Sequence, residues 1–214
     1  MKGVSRRALS EPNLPDYEIS ALYDLYNSTK GSEWIWTPSK GEPWVFADDV
    51  NPCVEEWQGV TCSSNETVLH VLNLYLDGMR LSGKLPESLG NFTELLALSL
   101  NSNAISGSIP ETLYNCTTLM VLDLSDNVIN GTLSERVYHL PALEYLALQT
   151  NHMTGYLPEN LLLHPTLATL DLGSNHFTGC PLTLLLSIAV CSTSYSNRTG
   201  FTVPFQLPMA GCPT

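Results

Sequence analysis

Few residues of this chain are arranged for covalent chemistry. Serines and threonines are numerous but scattered. None stands in a G-x-S-x-G turn, and neither a glycine-rich phosphate loop nor an H-E-x-x-H pair occurs. The five histidines, His70, His139, His152, His164 and His176, are dispersed. His152 and His176 lie 24 residues apart, but two imidazoles alone make a weak metal site. They are read as a solvated surface pair, with no metal and no cofactor expected. The acid pairs Glu55-Glu56 and Asp48-Asp49 are neighbours in sequence, and nothing sets them across a substrate as a general acid and base require. The expectation is a chain that is not an enzyme.

Composition narrows the partners. Charged residues are 14% of the chain, against about 25% in ordinary globular proteins. The formal net charge is −12, and three of the nine basic residues, Lys2, Arg6 and Arg7, fall in the first seven positions. Phosphate binding needs clustered Lys and Arg, so nucleic acid and anionic membranes are excluded as partners. The longest apolar run, Leu182 to Val190, is far short of the roughly 18 residues of a membrane span. No apolar stretch of the signal-peptide kind follows the basic N-terminal residues. Against that stand six N-x-S/T sequons, at Asn27, Asn65, Asn91, Asn115, Asn130 and Asn197. Chance in so Ser/Thr-rich a chain supplies roughly three, so the modest excess points outside the cell.

The elements that must carry any function are repeats. Aligned on the last leucine of each L-x-L run, the chain steps by 24 residues through Leu76, Leu100, Leu124, Leu148 and Leu172. The columns two and five residues before follow the same step. Three residues after the run come Met79, Asn103, Asn127, Asn151 and Asn175; seven after come Gly83, Gly107, Gly131, Gly155 and Gly179. The L-x-L core predicts a short strand whose leucines point to one side. The asparagine can satisfy backbone groups through both its carbonyl and its amide. The glycine permits a positive φ or a close backbone approach. One unit cannot bury its own leucines, so neighbours must stack into a continuous core.

The run from Leu74, LYLDGMRLSGKLPESLGNFTELLALSLNSNAISGSIPETLYNCTTL, resembles the plant-type leucine-rich repeat, L-x-x-L-x-L-x-x-N-x-L-x-G-x-I-P-x-x-L-x-x. Departures are Met79 for the first Asn, Ser134 for a Pro, and Gly179-Cys180-Pro181 in the fifth unit. The segment Cys53-Val-Glu-Glu-Trp57-Gln-Gly-Val-Thr-Cys62 resembles the N-terminal cap of secreted members. The phrase Ala21-Leu22-x-x-Leu25-Tyr26 with Gly31-x-x-Trp34 is similar to caps of algal and protist members. The resemblance implies an α/β fold, a right-handed leucine-rich repeat solenoid of five 24-residue repeats between N- and C-terminal caps. It implies a Cys53–Cys62 disulfide, where the residues alone also allow two buried thiols. A disulfide places the chain in an oxidising compartment. Two of Cys180, Cys191 and Cys212 are expected to close the far end, with Cys180–Cys191 preferred because both lie near the last repeat. Cys116 shares a column with Phe92 and Leu140 and is read as a core residue. The four tryptophans, Trp34, Trp36, Trp44 and Trp57, are read as the seal of the solenoid end rather than a sugar-stacking platform.

The expected organisation is a disordered segment over 1–17, an N-terminal cap over 18–66 opening with an amphipathic helix that Gly31 stops, repeats over 67–190, and a C-terminal cap and tail over 191–214. The expected function, implied by the resemblance, is an extracellular or cell-surface recognition module of the receptor-like type. It would take a protein, peptide or carbohydrate ligand, with a receptor kinase as a further partner. A structural or adhesive wall glycoprotein and an inhibitor of wall-degrading glycosidases are the alternatives. The candidate binding residues sit on outward strand positions: Tyr75, Asp123, Tyr145, Gln149 and Asp171. The opposite side carries the glycines, prolines and sequons.

Overall fold

A computed structural model of the chain describes residues 13–47, 50–64 and 67–178. The expected sequons Asn65 and Asn197, and the cysteines Cys180, Cys191 and Cys212 with the whole C-terminal cap, lie outside the described residues.

The first element is helix α1, Asp16–Ser28, which buries Ala21, Leu22 and Leu25 along one side. Asp16 and Glu18 lie in its first turn, where negative charge suits the helix dipole. Order begins earlier than residue 18: Leu14 is already in the core, and the carbonyl of Asn13 accepts the amide of Leu69 at 3.1 Å. Gly31 does not stop the helix. Lys30 supplies the left-handed residue after the last turn, and Gly31 is small because a Cβ there would enter the Tyr26 ring.

Glu18 is fully buried. A buried carboxylate is costly unless paired. Its Oε1 meets His70 Nδ1 at 2.7 Å and its Oε2 accepts the amide of Val71 at 2.8 Å. The pair fastens α1 to the start of the repeats. Trp34, Trp44 and Trp57 are buried, with Trp44 and Trp57 stacked at 5.4 Å. Their indoles are satisfied internally: Trp34 Nε1 donates to the Thr29 carbonyl and Trp44 Nε1 to that of Gln58. The cap closes with the Cys53–Cys62 disulfide, whose Cα atoms are 5.7 Å apart. Strand β1, Val60–Cys62, then pairs antiparallel with β2, Val71–Tyr75. This cap strand has no signal in the repeat periodicity.

From β2 onward the 24-residue period becomes a parallel ladder. The strands are β2, β4 (Ala97–Ser99), β6 (Val121–Asp123), β8 (Tyr145–Ala147) and β10 (Thr169–Asp171). Leu74, Leu98, Leu122, Leu146 and Leu170 face one another in register. Parallel crossovers of this kind are right-handed, which sets the hand of the coil. Between them runs a second parallel sheet: β3 (Ser82–Lys84), β5 (Ala104–Gly107), β7 (Val128–Gly131), β9 (His152–Gly155) and β11 (His176–Phe177). Its facing residues are 22 apart, as in Asn130 against His152, so this sheet is staggered by two residues per turn. The L-x-L period predicts only one strand per repeat, and the second is an addition to it.

The asparagine column holds the turns together. Asn127 Nδ2 donates to the carbonyls of Leu100, Leu124 and Ser125, and its Oδ1 accepts the amide of Ile105 at 2.9 Å. Asn103, Asn151 and Asn175 repeat the pattern. Met79, the exception, is buried where the cap abuts the first repeat and faces Gln58. Gly83 has φ +116, and a Cβ there would fall 2.1 Å from the Ser28 carbonyl oxygen. Ser134 keeps the turn that Pro86 and Pro110 make elsewhere: its φ of −67 matches, and its Oγ accepts the Arg136 amide.

Candidate functional site

The outward positions of the first sheet form one face across five strands. Adjacent strands are about 4.8 Å apart, so the face extends roughly 20 Å across them. The backbone fixes each residue there: strand alternation turns the leucines inward and the residues between them outward. In register stand Tyr75, Ser99, Asp123, Ala147 and Asp171. The adjoining column is Asn73, Ala97, Val121, Tyr145 and Thr169.

The five candidates do not form one cluster. Tyr75 is about half exposed at the cap end, with its amide bonded to Gly59 of the cap. One strand, β4, separates it from Asp123. Asp123, Tyr145 and Asp171 do come together. The Tyr145 phenol has its pKa raised, first by burial and then by the charges of Asp123 and Asp171. Ala147, on the rung between the two aspartates, is fully buried. Gln149 follows on the same rung as Tyr145, and its Oε1 receives no hydrogen bond from the described residues.

Each aspartate is held by its own turn. Asp123 Oδ1 accepts the Ser125 amide at 3.0 Å and the Ser125 hydroxyl at 2.6 Å, and Asp171 Oδ1 accepts the Gly173 amide at 3.0 Å. One oxygen of each carboxylate therefore does structural work, and the other is left for solvent or a partner. The sequence choice passed over Asp77, whose Oδ1 binds the Ser99 hydroxyl at 2.6 Å and the Asn101 amide at 3.0 Å. Its position two residues past β2 in the same outward register was the available signal. No Lys or Arg occupies the outward columns of this face. The face can accept hydrogen bonds and attract cations, and it repels polyanions.

The other candidates are spread over the remaining surface. Asn27 on α1, Asn91 and Asn115 at the ends of the turns Glu87–Asn91 and Glu111–Asn115, and Asn130 on β7 are all exposed. Cys116 is buried and free, and burial pushes its thiol up to about 12, as befits a core residue. His164, dispersed in sequence, is the fourth member of the buried column of Phe92, Cys116 and Leu140. Its 24-residue distance from Leu140 was the missed signal. Burial lowers its pKa, and its ring packs on Tyr138 at 5.6 Å. His152 and His176 stack at 5.9 Å on the second sheet. Among the described residues, no group of three or more His, Cys, Asp or Glu is placed to hold a metal.

Comparison with known proteins agrees with this architecture. The leucine-rich repeat family model matches residues 93–153, and the leucine-rich repeat N-terminal domain model matches residues 15–63. Phytosulfokine receptor 1 of Arabidopsis thaliana is 40% identical over 60 residues, which are 28% of this chain and only 6% of the receptor. The structure of the BIR3–SERK2 complex from Arabidopsis thaliana is similar with a TM-score of 0.68 at 27% identity, covering 92% of this chain and 100% of that one. A plant ice-binding protein is similar with a TM-score of 0.66 at 25% identity, covering 78% of this chain and 51% of that one. Receptor ectodomains and an ice binder share the coil, so the ligand must be read from surface residues.

Proposed function

Because this chain is a plant-type leucine-rich repeat protein, we propose that it is an extracellular recognition module whose strand face takes a protein or peptide partner. The observation that carries this reading is the face itself. It is rigid, spans five strands, presents Tyr75 and Tyr145 with Asp77, Asp123 and Asp171, and carries no Lys or Arg in its outward columns. Tyrosine is enriched where binding energy concentrates, and the carboxylates favour a basic partner over an acidic polymer. Receptor-like relatives support a protein or peptide ligand, and the similar BIR3–SERK2 structure is itself a complex of two proteins.

The Cys53–Cys62 bridge fits an oxidising compartment. So do the exposed sequon asparagines Asn27, Asn91, Asn115 and Asn130, which belong to α1, the turns and the second sheet. Glycans at those positions leave the strand face open. Mass spectrometry of secreted protein is expected to show the 53–62 bridge and at least two occupied sites. Capture of partners by the wild type and by the Tyr75→Ala/Tyr145→Ala double variant tests the face. Loss of the captured partner, with an unchanged melting profile, supports the reading. Full retention moves recognition to the N-terminal cap.

A further inference from the structure

We propose that His152 and His176 form a binding site for a borderline d-block cation, Cu2+ above all, on the second sheet. The two side chains leave adjacent strands β9 and β11 on the same outward side, and both are exposed. Their ring centroids are 5.9 Å apart and the rings lie within 17° of parallel.

The separation suits one shared ion. With a metal–nitrogen bond of about 2.0–2.1 Å, the centroids of two imidazoles on one metal stand about 4.5 Å apart at a right angle and about 6.4 Å apart in line. The observed spacing falls inside that range. In the stack the ring lone pairs do not converge, so binding needs a swivel about the side-chain torsions. Exposure makes that swivel cheap, and the strands need not move.

The donor set selects the ion. The facing and flanking outward residues on β7, β9 and β11 are Val128, Asn130 and Thr154, with no carboxylate among them. A site of imidazole nitrogens disfavours Ca2+ and Mg2+, which take oxygen ligands. Among divalent ions that accept imidazole, the order of affinity peaks at Cu2+. The net charge of −12 raises the local concentration of any cation. Two protein ligands leave coordination positions open to water or to a donor from a partner.

The test is a titration of the disulfide-bonded full chain with Cu2+ in a glycine-buffered solution. Calorimetry reads stoichiometry, and paramagnetic broadening of the histidine ring protons reads location. The expected result is one site, with His152 and His176 broadened together and ahead of His70, His139 and His164. Because the second imidazole binds at high effective concentration, either His152→Ala or His176→Ala weakens the site by about tenfold or more. His139→Ala leaves it unchanged, and Ca2+ does not compete. Both variants alter exposed side chains and should keep the wild-type melting profile. Two independent equivalents, a loss in each variant no larger than that of one lone imidazole, or broadening elsewhere means an adventitious ion only and overturns the proposal.

Discussion

Substituting Asn127 tests the ladder more sharply than removing any leucine. Its Nδ2 donates to three carbonyls and its Oδ1 accepts one amide. In Asn127→Ala the three carbonyls each keep another donor: Asn103 Nδ2 on Leu100, Asn151 Nδ2 on Leu124, and the Ser102 amide on Ser125. The Ile105 amide, in a buried residue, loses its side-chain acceptor. One orphaned buried donor costs about 1–3 kcal/mol, so about 2 kcal/mol is expected rather than the sum of four bonds. Asn127→Asp should be worse. The carboxylate can still accept from Ile105, but it sets a buried charge against three carbonyl oxygens with no donor between them. Equilibrium denaturation followed by circular dichroism and by tryptophan fluorescence reads both variants. If Asn127→Asp is tolerated as well as Asn127→Ala, the side chain does not donate to the carbonyls as described.

Other consequences follow from single contacts. Leu124→Ala should cost about 2–5 kcal/mol in the same melts, because the side chain is fully buried mid-solenoid. Gly83→Ala should destabilise strongly or block folding, since the new Cβ meets the Ser28 carbonyl and φ is positive. Buried His164 has a lowered pKa, so the native state favours the neutral ring. Stability is then lost as pH falls below the unfolded value of about 6.5, until the lowered native pKa is passed. His164→Phe should flatten that part of the stability–pH curve, and an unchanged slope refutes the burial argument. Cys116, with its thiol pushed up to about 12, should resist iodoacetamide at mildly alkaline pH in the native state and react once unfolded.

The repeat register was legible because a solenoid writes its geometry as a period. Leu74 through Leu170 face one another because they are 24 apart, and the asparagine and glycine columns follow the same step. Ser134 could be read as a local change only, and its hydroxyl adds a cap that Pro86 and Pro110 do not make. Contacts outside the period were not legible. The Glu18–His70 pair joins residues 52 apart, and β1 pairs antiparallel with β2 through a cap that has no repeat. The second sheet was missed because its strands keep the 24-residue step but each buries a single side chain, Ile105, Ile129 or Met153, too little alternation to mark a strand. On the strand face the columns were legible, but their grouping was not. Sequence alone groups Tyr75 with Tyr145, whereas distance along the ladder and the charges of Asp123 and Asp171 set Tyr145 apart from it.

The strand face can be tested directly with a photo-crosslinking residue placed at one position at a time in the secreted chain. Tyr75 and Tyr145 mark the strand face, Tyr138 marks the turn side, and Tyr23 marks the cap. Irradiation of the chain among its natural neighbours, followed by mass spectrometry of the adducts, reads which surface touches a partner. The account predicts a discrete, saturable adduct from Tyr145 or Tyr75 and none from Tyr138. Adducts from Tyr23 alone, or equally from every position, would contradict it.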